Sequence, residues 1–248
     1  MSTTVPPWAT AESYSAALRA GGGPLFLRGD DGSLLPLEVA RWCARPDPAD
    51  LDVLDRCEGP VLDVGCGPGR LAAELTARGR TALGIDVSEA AVAHTLRLGG
   101  RALRRSVFES LPGEGRWGTV LLMDGNVGIG GDPGALLARV ADILRPGGLL
   151  LAETDPVDVD ERARVRVVGV PGTQAAGAPF PWARLGTPAL LRYAPGWESV
   201  GHWAVGVRRF AALRSRRATN SAEPPKRTAV ISSQRVRKPS GDSPVADR

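Results

Sequence analysis

Lysine is all but missing from this chain: Lys226 and Lys238 are the only two, so residues 1–225 contain none. Cysteine is sparse as well. Cys43, Cys57 and Cys66 are odd in number, show no C-x-x-C spacing and have no histidine nearby, which excludes a disulfide framework and gives no zinc ligand set. The thiols read as free side chains in a reducing compartment, and no metal is expected. No window reaches the ~18 consecutive apolar residues of a membrane span. Residues 1–14, MSTTVPPWATAESY, have neither a basic start nor an apolar signal core. The expectation is a cytoplasmic protein without a membrane partner.

Negative charge is scarce only at one end. The formal charge is +4, which invites a nucleic-acid partner. Residues 214–248, however, hold nine basic and three acidic side chains, a net of +6, so the remainder is +4 minus +6, or −2. The basic balance belongs to a tail rich in Ser and Pro, with one short apolar run at residues 229–231. Such a segment buries too little surface to offset the entropy of ordering. A disordered tail over residues 215–248 is expected, and nucleic acid is not the expected partner. The chain's 248 residues and 43% hydrophobic content suffice for one sizeable core.

What the chain does contain is glycine in a particular place. Residues 61–70 read VLDVGCGPGR. Apolar residues around Asp63 form a short buried strand, and Gly65, Cys66, Gly67, Pro68 and Gly69 turn the chain into a helix that starts near Arg70. Glycine there lets the backbone approach a ligand and adopt positive φ, and amide groups at the helix start favour an anionic or polar group. The spacing is G-x-G-x-G, whereas a dinucleotide fold carries G-x-G-x-x-G. With Asp63 two residues ahead, the loop resembles motif I of the class I S-adenosylmethionine-dependent methyltransferases.

The order of the segments after this loop strengthens the resemblance. Residues 81–87, TALGIDV, make a second strand with Asp86 at its carboxyl end, where an acid can accept hydrogen bonds from both hydroxyls of a ribose. Ser88 is a natural N-cap for the next helix. Residues 102–108 read as a third strand, and FESLP after it is similar to the family's adenine-contacting segment, with Ser106 where an acid is common and Val107 offering backbone contact. Residues 117–123 make the fourth strand, ending in Asp124, Gly125 and Asn126. That end faces the transferable group in the family, and it lacks the N-P-P-Y loop of enzymes acting on adenine or glutamine amides. Residues 144–148, L-R-P-G-G, precede an apolar strand, and that string is among the most recurrent in the family.

The resemblance implies S-adenosylmethionine as cofactor, held by Asp63, Gly65, Cys66, Gly67, Gly69, Asp86, Val87, Ser106, Val107 and Asp124. On the acceptor the resemblance is nearly silent; a small molecule is preferred by elimination, with Asn126, Tyr14 and Arg41 as candidate substrate contacts. Asp124 is the candidate base or orienting group, with His202 second. His94 reads as a packing histidine. Phe180 to Trp182, and His202 with Trp203, add aromatic surface for an acceptor pocket.

The expected fold is a doubly wound α/β domain with a seven-stranded, mostly parallel sheet of Rossmann-like type and an antiparallel edge hairpin. A helical lid occupies residues 1–58, with helices over 10–20, 37–43 and 48–57 and a hairpin turning at Asp31-Gly32. The S-adenosylmethionine-binding core spans 59–214. Within it, residues 163–170 read as a strand, 182–193 as a helix, and 197–205 with 208–214 as the closing pair. Two readings stand beside methyl transfer. An NAD(P)-dependent reductase would also use Asp86, but the chain has no Tyr-x-x-x-Lys pair. A non-catalytic nucleotide- or partner-binding protein would act through its tail.

Overall fold

A computed structural model of the chain describes residues 12–169 and 177–216. Its centre is a seven-stranded sheet in the order β5-β4-β3-β6-β7-β11-β10. Five of these strands are parallel neighbours: β3 (Val61–Val64), β4 (Ala82–Asp86), β5 (Ala102–Arg104), β6 (Trp117–Leu122) and β7 (Leu144–Thr154). β10 (Trp197–Val205) and β11 (Arg208–Ser215) form an antiparallel hairpin, and β11 pairs antiparallel with β7. This is the expected doubly wound sheet with its closing hairpin.

Burial on both faces explains the composition of the central strands. Leu62, Val64, Val120, Leu122, Leu150 and Ala152 face α6 (Pro133–Ile143) and α7 (Thr187–Arg192) in one core. Val61, Leu121, Met123, Leu149 and Leu151 face α3 (Pro48–Asp55) and α4 (Arg70–Ala77) in another. Strands covered on both sides read as continuous apolar runs. The helices begin as the sequence indicates: Ser88 caps α5 (Glu89–Arg97), and Asp132 caps α6 with Pro133 at its first position. Pro146, Gly147 and Gly148 form a bulge inside β7, where the register against β6 shifts between Trp117 and Thr119.

A second sheet stands over the carboxyl ends of the parallel strands. It has four antiparallel strands in the order β2-β1-β8-β9. The hairpin of β1 (Phe26–Gly29) and β2 (Leu34–Pro36) turns at Asp31-Gly32 as the sequence predicts, with Ser33 hydrogen-bonded to Asp31. It pairs with β8 (Asp160–Val168), which pairs with β9 (Phe180–Leu185). The inner face of this sheet packs on α1 (Glu12–Ala20) and α2 (Val39–Cys43) around Tyr14, Leu18, Leu27, Val165, Val167 and Phe180. Half of the cover therefore comes from an excursion after β7 and half from the N-terminal segment.

Several sequence expectations change here. The helix over 182–193 is instead β9 followed by the short α7, because pairing with β8 draws residues 180–185 into an extended register, Phe180 opposite Val165 and Trp182 opposite Ala163. The strand at 163–170 begins earlier, at Asp160, and belongs to the second sheet; Val170 lies outside the described residues. The third parallel strand is shorter than 102–108, since Ser106 begins a turn that Glu109 and Ser106 close by hydrogen bonds to backbone amides. The tail expected to be disordered lies, from residue 217 onward, outside the described residues. Among the described residues no helix is long and apolar enough to cross a membrane.

Candidate active site

Strand order reverses on either side of β3, whose neighbours are β4 and β6. At such a switch point the connecting chains part and leave a crevice outside the carboxyl ends. The crevice here is a cavity of about 300 Å³, bounded by Gly65 to Pro68 after β3, Asp86 and Val87 at the end of β4, Arg105 to Phe108 after β5, and Asp124 and Asn126 after β6. Tyr14 and Trp42 from the cover and Phe180 to Trp182 from β9 complete its wall.

The glycine loop is shaped from within. Gly65 N and Cys66 N donate to Ile85 O at 2.8 and 3.0 Å, Gly67 N donates to Asp86 Oδ2 at 2.9 Å, and Gly69 N donates to Cys66 O at 3.1 Å. Pro68 has no N–H. These loop amides are thus occupied by protein acceptors, so the loop does not present the open amide nest that a pyrophosphate requires. Gly65 has φ +68°, and a Cβ there would stand 2.6 Å from Asn126 Nδ2. That approach is used: Asn126 Nδ2 donates to Val64 O and Gly65 O at 2.9 and 3.0 Å, tying the end of β6 to the loop.

Asp86 is buried and lies on the cavity wall. Its Oδ1 accepts from Ser88 N at 2.8 Å and its Oδ2 from Gly67 N. Burial pushes its carboxyl up to about 6, against the opposing pull of the Ser88 and Gly67 amides. Tyr14 is buried above the loop, and burial together with the charge of Asp86 holds its phenol well above the ordinary tyrosine range. The Cys66 thiol is likewise raised by burial and by Asp86.

The other end of the cavity is organised by charge. Asp124 is the sole non-glycine residue with positive φ among the described residues, at +57°. Arg70 Nη1 reaches its Oδ2 at 2.7 Å, Arg41 Nη2 its Oδ1 at 2.8 Å, and Arg208 Nη2 lies 3.8 Å from the same Oδ1. Burial raises the Asp124 carboxyl, but the charges of Arg70 and Arg41 outweigh it and hold the group below the ordinary carboxylate range. Arg70, only 4% exposed, also grips Asp50 at 2.7 and 2.9 Å. Arg208 binds Glu153 and Asp47, and Glu153 accepts from Asp124 N at 2.9 Å. A carboxylate so heavily paired is a poor proton acceptor. Its geometry suits orientation instead of base catalysis, which revises the first role expected of Asp124.

The other candidate residues divide sharply. Gly65, Cys66, Gly67, Asp86, Val87, Ser106, Val107, Asp124, Asn126 and Tyr14 line one cavity, as do Phe180 and Trp182. Asp63 and Gly69 do not. Asp63 points to the opposite face of β3, where burial raises its carboxyl to about 7 and its Oδ2 has no hydrogen-bond partner. Gly69, the N-cap of α4 at φ +91°, faces Thr95 of α5, so its lack of a side chain serves helix packing. His202 lies exposed on the edge strand β10, away from the cavity, which removes it as a base. Trp203 instead stacks on Phe210 with ring centroids 5.4 Å apart. His94 Nδ1 lies 2.9 Å from Pro68 O and buttresses the loop. Arg41 lines a neighbouring cavity of about 180 Å³ that shares Leu37, Trp42, Asp124 and Trp182 with the first. Sequence reading missed Arg70, Arg208 and Glu153; the one local signal was an arginine directly after the third glycine.

A family model described as a methyltransferase domain matches residues 39–185. The ubiquinone biosynthesis O-methyltransferase of Dechloromonas aromatica (strain RCB) is 34% identical over 103 residues, covering 38% of this chain and 43% of that protein. The matched segment thus spans less than half the length of that curated relative. The structure of a SAM-dependent methyltransferase from Bacteroides fragilis in complex with S-adenosyl-L-homocysteine is similar with a TM-score of 0.71 at 22% identity, over 86% of this chain and 98% of that one. The 1,6-didemethyltoxoflavin-N1-methyltransferase of Burkholderia thailandensis, with 1,6-didemethyltoxoflavin and S-adenosylhomocysteine bound, gives a TM-score of 0.50 at 22% identity, over 68% and 76% of the two chains.

Proposed function

The chain belongs to the methyltransferase domain family and has the fold of S-adenosylmethionine-dependent methyltransferases, and on that premise we propose that it transfers the methyl group of S-adenosylmethionine to a small-molecule nucleophile. The observation that carries this reading is one cavity lined both by the glycine loop and Asp86 and by the aromatic side chains of Phe180 and Trp182.

The residues present fit the cofactor. Asp86 would accept hydrogen bonds from the ribose hydroxyls through lone pairs its two amide partners leave open. Val87 and the backbone of Ser106 and Val107 would border the adenine. The close-packed loop from Gly65 to Pro68 would lie under the ribose and the amino-acid portion. A loop whose amides are satisfied internally suits a ligand that has no phosphate, which weighs against a dinucleotide in the same crevice. Residues 59–214 would supply the cofactor site, with residues 1–58 as part of its cover.

The sulfonium carries a methyl group already activated for displacement, so the chemistry asked of the protein is alignment of acceptor and methyl carbon at ~3 Å. Asp124, clamped by Arg70 and Arg41, and Asn126, tied to the glycine loop, fix the strand end where the two would meet. Tyr14, Trp42 and Trp182 also line the cavity and would help to limit water around the collision. Calorimetric titration with S-adenosylhomocysteine tests the reading. Asp86→Ala should weaken binding about 10- to 150-fold, the loss of charge-assisted hydrogen bonds; unchanged affinity in a folded variant removes Asp86 from the site.

A further inference from the structure

Nothing on the wall of the first cavity is set up to take a proton. Asp124 is neutralised by Arg70 and Arg41, Asp86 lies on the side that suits the ribose, and burial keeps the Tyr14 phenol and the Cys66 thiol protonated. Neither histidine lines it. The adjoining cavity continues the pattern: Glu153 is paired with Arg208 and Asp155 with Arg184, both at 2.7 Å. Glu38, exposed at the start of α2, is the remaining carboxylate there.

Donors, by contrast, are left over on α2. Arg41 spends Nη2 on Asp124, while its Nη1 is buried without an acceptor; the indole Nε1 of Trp42, the next residue, is also buried without one. Both side chains line the second cavity, and Trp42 and Asp124 line both. Buried donors without partners are rare in folded proteins and mark places where an acceptor atom belongs. An acceptor molecule that had to be deprotonated would find no base here. One that arrives as an oxyanion needs none, and it meets a guanidinium.

Resting on the methyl-transfer reading, we propose that the acceptor is an acidic hydroxyl compound, a phenol or enol that binds as its anion in the second cavity with its oxygen toward Arg41. The oxygen lone pair forms the new O–CH₃ bond as the S–CH₃ bond breaks, and the electron pair of that bond passes to sulfur. The negative charge on oxygen and the positive charge on sulfur disappear together, and no proton is transferred.

The test uses the full-length protein with methyl-labelled S-adenosylmethionine and a set of acceptors: phenol, 4-hydroxybenzaldehyde, 4-nitrophenol and a 1,3-diketone, against cyclohexanol, aniline and benzylamine. Label should enter the phenols and the diketone. The pH at which the rate levels off should move with the ionisation of each acceptor. Arg41→Gln should lower kcat/KM about 10- to 150-fold with S-adenosylhomocysteine affinity unchanged, and Arg41→Lys should recover part of it. Label on the amines or cyclohexanol, or an inflection common to every phenol, which would reveal a protein base, overturns the proposal. So does S-adenosylhomocysteine binding with no label in any phenol or enol. Failure to bind S-adenosylhomocysteine removes the methyl-transfer reading itself.

Discussion

Affinity for the cofactor should depend on pH through Asp86. Burial raises this carboxyl to about 6, so in the free protein it becomes largely protonated as the pH falls below that value. On the proposed binding mode ribose hydroxyls would donate to the ionised form, so binding below about pH 6 would first have to expel the proton. Each unit further down then costs about tenfold in affinity. Lowering the pH from about 7 to about 5 should raise the Kd for S-adenosylhomocysteine about tenfold, with nearly one proton released per molecule bound at the lower value. Calorimetry in two buffers of different ionisation enthalpy reads both quantities. Asp86→Asn keeps the shape of the side chain and cannot ionise, so it should bind about 10- to 150-fold more weakly near neutral pH and show no slope. The wild type binding equally well across this range would refute the argument. A slope that survives in Asp86→Asn would assign the proton elsewhere, with Asp63, raised by burial to about 7, as the first suspect.

Arg70→Met leaves the buried carboxylates of Asp50 and Asp124 short of their shared partner and should cost about 3–5 kcal/mol in urea denaturation; a change within ~1 kcal/mol would mean the other arginines compensate. Gly69→Ala places a methyl group at φ +91° against Thr95 and should lose about 3 kcal/mol, whereas Gly99→Ala, at φ +85° with open space around it, should lose about 1 kcal/mol. Equal losses would show that backbone conformation alone matters at both. Deleting residues 217–248 should leave S-adenosylhomocysteine affinity unchanged, because the cavity is built from residues between Tyr14 and Trp182; a loss of binding would give the tail a part in the site.

Local chemistry accounts for the features legible in advance. The strand-turn-helix at residues 61–70, Asp86 at the end of β4 and the L-R-P-G-G string each rest on neighbours in sequence, where φ preference, capping and apolar runs act directly. Their order along the chain was enough to indicate the doubly wound sheet and one wall of the cavity. The cover was legible only in part: the hairpin at Asp31-Gly32 and a strand near 163–170 could be expected, but not their pairing, Phe26 opposite Val168, nor β9, because residues 182–193 have helix-compatible local preferences that pairing with β8 overrides. Two residues of the glycine motif were assigned to the cavity, yet the pleat of β3 turns Asp63 to the other face and α5 claims the space beside Gly69. The arginine network is a product of tertiary structure entirely. Asp50 meets Arg70 twenty positions along the chain and Arg208 at a separation of 158, and only the folded sheet brings those charges out of water together, where pairing is what makes their burial tolerable. Residue order alone was thus enough for the class of fold and the cavity-lining loop, while the charge-clamped Asp124 at its positive φ and the unpartnered donors of α2 exist only once the cover has closed over the strand ends.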